Sequence, residues 1–232
     1  MSCILNIETS TSVCSVALST DGEVLFEKAS FDGPSHAALL GVFVEEALSV
    51  LKEKGGKLDA VAVSSGPGSY TGLRIGVSVA KGLCFGFGIP LIGIHTLDII
   101  AATAIKENKA IDGCLYCAML DARRMEVYAA IYDASLKPVR ETAADIVDAG
   151  TYASYLEKGN VCFVGNGASK CKPVITSPNA IFIEDIHPLA VNMVSLAEQA
   201  FAAGRFEDTA YFEPFYLKEF QATVAKNKVL GN

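Results

Sequence analysis

The sequence predicts an α/β protein built as two similar lobes related by an internal repeat, and three observations carry that prediction. Residues 61–83, VAVSSGPGSYTGLRIGVSVAKGL, begin as a continuous apolar run of strand type, pass through a turn holding Gly66, Pro67, Gly68 and Ser69, and continue with helical periodicity. Ahead of them lies a three-stranded antiparallel meander. Beyond them the order strand, acidic residue, turn, strand, strand, and then strand, Gly-x-Gly, helix occurs a second time.

Residues 4–8 read as the first strand and 13–18 as the second, with Thr9-Ser10-Thr11-Ser12 turning between them; Asp21-Gly22 turns into a third at 23–29. Ser35 is available to cap a helix over 36–54, which Gly55-Gly56 stops. On it Leu40, Val44, Ala47 and Leu51 form one stripe, and Leu39, Val42 and Phe43 widen that stripe past what one sheet contact needs. The glycine loop that follows is shaped: Pro67 fixes its own φ, and Gly66 and Gly68 permit backbone angles closed to other residues. Exposed N–H groups at the start of the next helix would receive an anion or an acidic group. In that helix Leu73, Ile75, Val77, Val79, Leu83, Phe85 and Phe87 go almost all round, while Gly72, Gly76 and Ala80 make a small-residue row open to another helix backbone. Two helices this apolar are either sandwiched inside the fold or covered by a partner, and the pattern alone does not choose.

Gly88-Ile89-Pro90 ends the second helix, 91–94 reads as a short strand, and 96–109 as a helix capped by Thr96. The repeat then begins, with strands at 115–120, running into Asp121, and at 126–132. A turn at 133–136 leads to a third strand, 161–164 run into Gly165-Asn166-Gly167, and a strand at 180–183 precedes a helix over 188–204 that closes this half. This copy is degraded: Arg123 and Arg124 stand in its first turn, and no apolar helix precedes Gly165. The expected division is a first lobe over 1–100 with 206–225 packing back on it, a second lobe over 101–205, and a tail at 226–232.

The chain has 232 residues, 51% of them hydrophobic and only 19% charged, with a net charge of −7. That balance argues against nucleic-acid binding by this chain alone, which relies on clustered Lys and Arg. The opening residues lack a basic, then apolar, leader, and the apolar region 83–105 is broken by Gly86, Gly88, Pro90, His95 and Asp98, so no membrane span and a cytoplasmic location are expected. Seven cysteines at irregular spacing read as free buried thiols. Cys114-x-x-Cys117 falls in a strand, where a spacing of three points the thiols to opposite faces, so it reads as structural.

No residue pattern here makes a catalytic or metal site. A helical metal pair needs histidines at i and i+4, and four residues after His36 stands Leu40; Ser64, Ser65 and Ser69 have no histidine nearby in the chain. Glu8, Thr9, Ser10 and Thr11, with Asp121, are expected to face the cleft between the lobes. An acidic residue ending strand one ahead of a hydroxyl-rich turn resembles the phosphate hairpin of the actin-like ATPase and sugar-kinase superfamily. Glu8-Thr9-Ser10-Thr11 stands, however, where that superfamily carries an Asp and a Gly, so the hairpin reads as a vestigial nucleotide site.

Ser65-Gly66-Pro67-Gly68-Ser69-Tyr70-Thr71-Gly72-Leu73-Arg74-Ile75-Gly76, followed by Lys81-Gly82-Leu83, resembles the signature of the bacterial TsaB (YeaZ) family, once described as glycoprotease-like; Pro214-Phe215-Tyr216-Leu217-Lys218 is similar to a late element of the same family. The resemblance implies two lobes of the actin-like ATPase (ASKHA, ribonuclease H-like) fold and a non-catalytic subunit. It implies binding to TsaD through Leu39, Leu40, Phe43, Val44, Gly72, Leu73, Gly76, Val77 and Ala80, with TsaE joining the pair, and a homodimer through the same helices when the chain is alone. Together those proteins move threonylcarbamoyl from its adenylate, made by TsaC, to the adenosine beside the anticodon of tRNAs reading A-starting codons, at an active site in TsaD. tRNA would be met only through the complex, and no cofactor is implied beyond weak ATP or ADP at the cleft or the complex interface. Arg74 would pair with a carboxylate of this chain or of a partner; Arg123 and Arg124 would form a solvated turn or reach tRNA phosphates. The rival expectation is a stand-alone enzyme of the same fold, a small-molecule kinase or a metallopeptidase, against which the missing metal ligands and altered hairpin weigh.

Overall fold

The computed structural model describes residues 2–33, 35–107, 111 and 113–218. The first half runs β1 (Cys3–Glu8), β2 (Cys14–Thr20), β3 (Glu23–Ser30), α1 (His36–Glu53), β4 (Ala60–Gly66), α2 (Tyr70–Phe87), β5 (Leu91–His95) and α3 (Thr96–Glu107). The second runs β6 (Leu115–Asp121), β7 (Glu126–Tyr132), β8 (Pro138–Ile146), α4 (Ala153–Leu156), β9 (Val161–Val164), a 3₁₀ turn (Ser169–Cys171), β10 (Ala180–Ile183) and α5 (Ala190–Ala202).

The repeat is present in the backbone. One sheet has the order β3-β2-β1-β4-β5 and the other β8-β7-β6-β9-β10. In each, the first three strands are antiparallel and the last two join in parallel. That order and those directions make a ribonuclease H-like lobe, and two such lobes make the expected actin-like architecture. β1 and β4 read as near-continuous apolar runs because both faces of the sheet are covered. Leu5, Ile7, Val61 and Val63 meet α1 and α2, whereas Ile4, Ala60 and Ala62 meet α5 on the other face.

That last contact corrects the predicted division. The helix expected to close the second half sets Met193, Ala197 and Ala200 on the first sheet, against Ile4, Ala60, Ala62 and Ile92. Reciprocally, α3 sets Leu97, Ile100, Ala101 and Ala104 against Tyr116, Ala118, Leu120 and Ala130 of the second sheet. Each half's last helix thus crosses to the other lobe, and cuts at 100 and 205 would pass through packed core. Periodicity shows which residues a helix buries, but not against which sheet. After α5 the chain returns to the first lobe, where the Glu207 N–H donates to the Leu91 carbonyl at 2.8 Å. Of the segment 206–225 expected on the first lobe, Phe215 and Tyr216 meet Ser65 and Tyr70 there, whereas Lys218 pairs with Glu126 of the second lobe; 219–225 and the tail at 226–232 lie outside the described residues.

The helix ends are differently served. Ser69 caps α2, its hydroxyl accepting the Gly72 N–H at 3.2 Å, and Gly88 ends the helix at φ 64°. Ser35 stands at the N-cap of α1 but donates its hydroxyl to the Gly33 carbonyl at 3.3 Å instead of capping. Thr96, expected as a cap, is the first residue of α3, and its buried hydroxyl has no partner among the described residues. In the second half α4 and the 3₁₀ turn stand where α1 and α2 stood, as the degraded copy foretold. Cys114 and Cys117 enter the cores on opposite faces of the second sheet, and all seven cysteines are free and buried. Among the described residues no helix is long and apolar enough to cross a membrane.

Candidate functional site at the glycine loop

β4 delivers Ser64, Ser65 and Gly66 to the end of the first sheet, where Gly66 adopts φ 108°. The loop beyond it closes directly on the β1–β2 turn. The Ser69 N–H donates to the Ser10 carbonyl at 2.6 Å, and a Cβ on Gly68 would stand 2.4 Å from that same oxygen. One turn on, a Cβ on Gly72 would lie 2.1 Å from the Thr9 carbonyl, and one on Gly76 would lie 2.3 Å from the Thr9 hydroxyl. The small-residue row therefore admits the chain's own hairpin rather than a partner helix. The start of α2 is likewise not open as an anion receiver at Ser69 or Gly72, whose N–H groups are both taken within the loop.

The hairpin turns inward. Glu8 is fully buried; its Oε1 accepts the Ser10 N–H at 2.5 Å, and its Oε2 has no hydrogen-bond partner among the described residues. Burial disfavours the charged carboxylate and pushes Glu8 up to about 7. Thr9 is buried and donates to the Gly72 carbonyl at 2.8 Å. Of the four hairpin residues expected at the cleft, Ser10 and Thr11 line it, in a cavity of about 620 Å³ shared with His36, Ser69, Thr71, Asp121 and Asn166. His36 is buried, with Nε2 3.2 Å from the Val13 carbonyl, so it braces the entry to β2 rather than standing at the surface.

The second lobe's acid is satisfied by its own lobe. Asp121 accepts the Arg123 N–H at 2.8 Å and pairs with Lys170, while its N–H donates to Asn166 at 2.9 Å. Lys170 also donates to the Glu126 carbonyl at 2.6 Å. Sequence reasoning missed Lys170; its spacing behind Gly165-Asn166-Gly167 was the available signal. Arg123 and Arg124 build an exposed turn at φ 73° and 49°, in keeping with a solvated hairpin.

The two apolar helices resolve unequally. Of the nine residues expected at a partner interface, Leu40, Phe43, Val44, Gly72, Leu73, Gly76, Val77 and Ala80 face the core, and Leu39 is half-buried. The outward faces are made by other residues: Ala38, Gly41 and Val42 on α1, and Thr71, Ser78, Gly82, Phe85 and Gly86 on α2. Phe85 is 88% exposed, and nothing lies within 4 Å of a Cβ at Gly41, Gly82 or Gly86. Arg74 turns to an aromatic ring instead of a carboxylate, with its guanidinium 5.3 Å from the Tyr70 centroid and a 3.1 Å bond to the Tyr70 hydroxyl. Among the described residues no group of three or more His, Cys, Asp or Glu side chains is placed to hold a metal.

A family model described as TsaD: tRNA N6-adenosine threonylcarbamoyltransferase matches residues 30–226. The Escherichia coli (strain K12) tRNA threonylcarbamoyladenosine biosynthesis protein TsaB is 32% identical over an alignment of 237 residues that covers 98% of each chain. The Bacillus subtilis TsaB is 33% identical over 129 residues, 56% of this chain and 54% of that protein. The solved structure of YeaZ from Pseudomonas aeruginosa superposes with a TM-score of 0.81 at 29% identity, covering 94% of this chain and 100% of that one. The Escherichia coli and Pseudomonas aeruginosa matches run nearly the length of the fold, and the chain belongs to the TsaB (YeaZ) family, within the reach of the TsaD family model.

Proposed function

We propose that this chain serves tRNA threonylcarbamoyladenosine biosynthesis as a non-catalytic subunit that binds TsaD through the outer face of α1 and α2, with TsaE joining the pair. The observation that carries the reading is the outer face of α2, where Ser78, Gly82 and Gly86 leave a shallow lane beside an 88% exposed Phe85. A large aromatic beside small residues on a helix surface fits another helix. The pathway comes from the names of the relatives. Threonylcarbamoyl transfer to the adenosine beside the anticodon, from the adenylate that TsaC makes, belongs to TsaD, and tRNA reaches this chain only within the complex in the cytoplasm.

When the chain is alone, the same face pairs two copies. ATP or ADP binds at most weakly, at the cleft or the complex interface; the close approach of Gly68 to the Ser10 carbonyl, which takes up backbone that a phosphate would need, supports a weak site.

Light scattering of the purified chain, alone and mixed with TsaD of the same organism, tests this reading. The expected result is a homodimer that exchanges into a one-to-one heterodimer, with Gly82→Glu and Phe85→Glu folded, monomeric and unable to bind TsaD. A monomer that ignores TsaD, or variants that bind it as well as the parent does, would sink the proposal. ATP or peptide turnover by the chain alone, lost in a folded Glu8→Ala or His36→Ala variant, would replace it with the stand-alone enzyme.

A further inference from the structure

After α5 the chain crosses the open end of the first sheet. It first lies antiparallel to the edge strand β5, where Glu207 bridges Leu91, and Lys81 of α2 then donates to the carbonyls of Ala210 and Phe212 at 3.0 and 3.1 Å. Next the Phe215 N–H donates to the Ser65 carbonyl at 2.7 Å, and the Phe215 carbonyl sits 2.7 Å from where a Cβ on Gly66 would stand. Its ring meets His95 edge-on at 5.7 Å, and the Tyr216 ring lies 4.9 Å from Tyr70. Finally Lys218 pairs with Glu126 on β7 of the other lobe. Ligands of open α/β sheets enter at the carboxyl ends of the parallel strands, and here that position over β4 and β5 is taken by the chain's own backbone.

We propose that residues 214–218 are an internal strap, which when seated covers the glycine loop and ties the two lobes together, and when displaced opens the cleft between them. The grip is light. Phe215 and Tyr216 are 41% and 37% exposed, and the pair with Glu126 lies at the surface. Segments with half-exposed side chains and sparse backbone bonding open locally at far less cost than global unfolding. Under the strap lies a space of about 300 Å³ bordered by Pro67, Gly68, Asp121, Arg123 and Tyr128. Displacement would uncover it, free the Ser65 carbonyl and release the second lobe from Lys218.

The chain contains no tryptophan, so Tyr216→Trp places a single fluorescent reporter on the strap. Its acrylamide quenching constant in the native protein is expected to be about 3-fold below that of the same variant unfolded in urea, as for a ring that is mostly seated. Adding Phe215→Ala or Lys218→Glu raises the constant at least about 2-fold with the global melting temperature little changed, because only the local opening is affected. Adding Glu126→Lys to Lys218→Glu brings it back down by restoring an opposite-charge pair. A native constant equal to the unfolded one, or one unmoved by both Phe215→Ala and Lys218→Glu, overturns the strap. Because Lys218 is exposed, its variant folds even where Phe215→Ala does not.

Discussion

The Thr9 hydroxyl donates a 2.8 Å hydrogen bond to the Gly72 carbonyl, and the Thr9 carbonyl oxygen lies 2.1 Å from where a Cβ on Gly72 would stand. The β1–β2 turn and the first turn of α2 are therefore in backbone contact, and the glycine makes that approach geometrically admissible.

Gly72→Ala forces this contact apart and should destabilise the protein by about 1–3 kcal/mol, overpacking outweighing the better helix propensity of alanine. Gly82→Ala, ten residues along the same helix, meets nothing within 4 Å and should stabilise by up to about 1 kcal/mol. Urea unfolding of the two variants reads the opposite signs; shifts of the same sign would contradict this packing.

Val77 is 5% exposed within the first core, so Val77→Glu buries an unpaired charge. We expect it to fail to fold or to lose more than about 3 kcal/mol. The same substitution at Phe85 should leave the circular dichroism melting curve close to that of the parent. Val77 and Gly76 were expected at a partner interface, where an added charge would leave the chain folded, and their burial reverses that expectation.

Glu8 has a carboxyl raised by burial to about 7 from an ordinary value of 4.5. Between those values the folded state holds a proton that the unfolded state has lost, so stability is greatest below about 4.5 and falls as pH rises through about 7. The loss is on the order of 3 kcal/mol at full ionisation. Glu8→Gln should flatten this part of the stability-versus-pH curve; an unchanged slope would place the proton elsewhere.

All seven thiols are buried. Burial pushes Cys14 and Cys84 up to about 11 and Cys117 higher still, whereas Cys114 is lowered by its hydrogen bond with Cys162. At pH 8, Ellman's reagent should find less than about one fast-reacting thiol in the native protein and all seven after denaturation. Several fast thiols in the native state would refute that burial.

Much of this architecture could be read from local pattern. The strands were legible because the stretches before Glu8 and Gly66 are near-continuous apolar runs bounded by turn residues, and both sheets repeat one order. α2 was legible because Ser69 and Gly88 mark its ends. What escaped was direction. Gly72, Gly76 and Ala80 were seen as a row, but a spacing of four states only that the three share a face, and here that face lies against Thr9 and β4.

Sequence by itself determined the two-lobe α/β class, the family, the free cysteines and the shaped glycine loop, because each rests on local patterns: apolar strand runs bounded by turns and repeated along the chain, caps, and a twelve-residue signature. Tertiary structure alone decided that α5 seals the first sheet while α3 seals the second, that burial raises the Glu8 carboxyl to about 7, that Lys170 holds Asp121, and that residues 214–218 cross the end of β4. Those outcomes join residues separated by up to about two hundred positions. Burial and pairing at such range depend on which surfaces meet in the folded chain, and no local periodicity encodes that meeting.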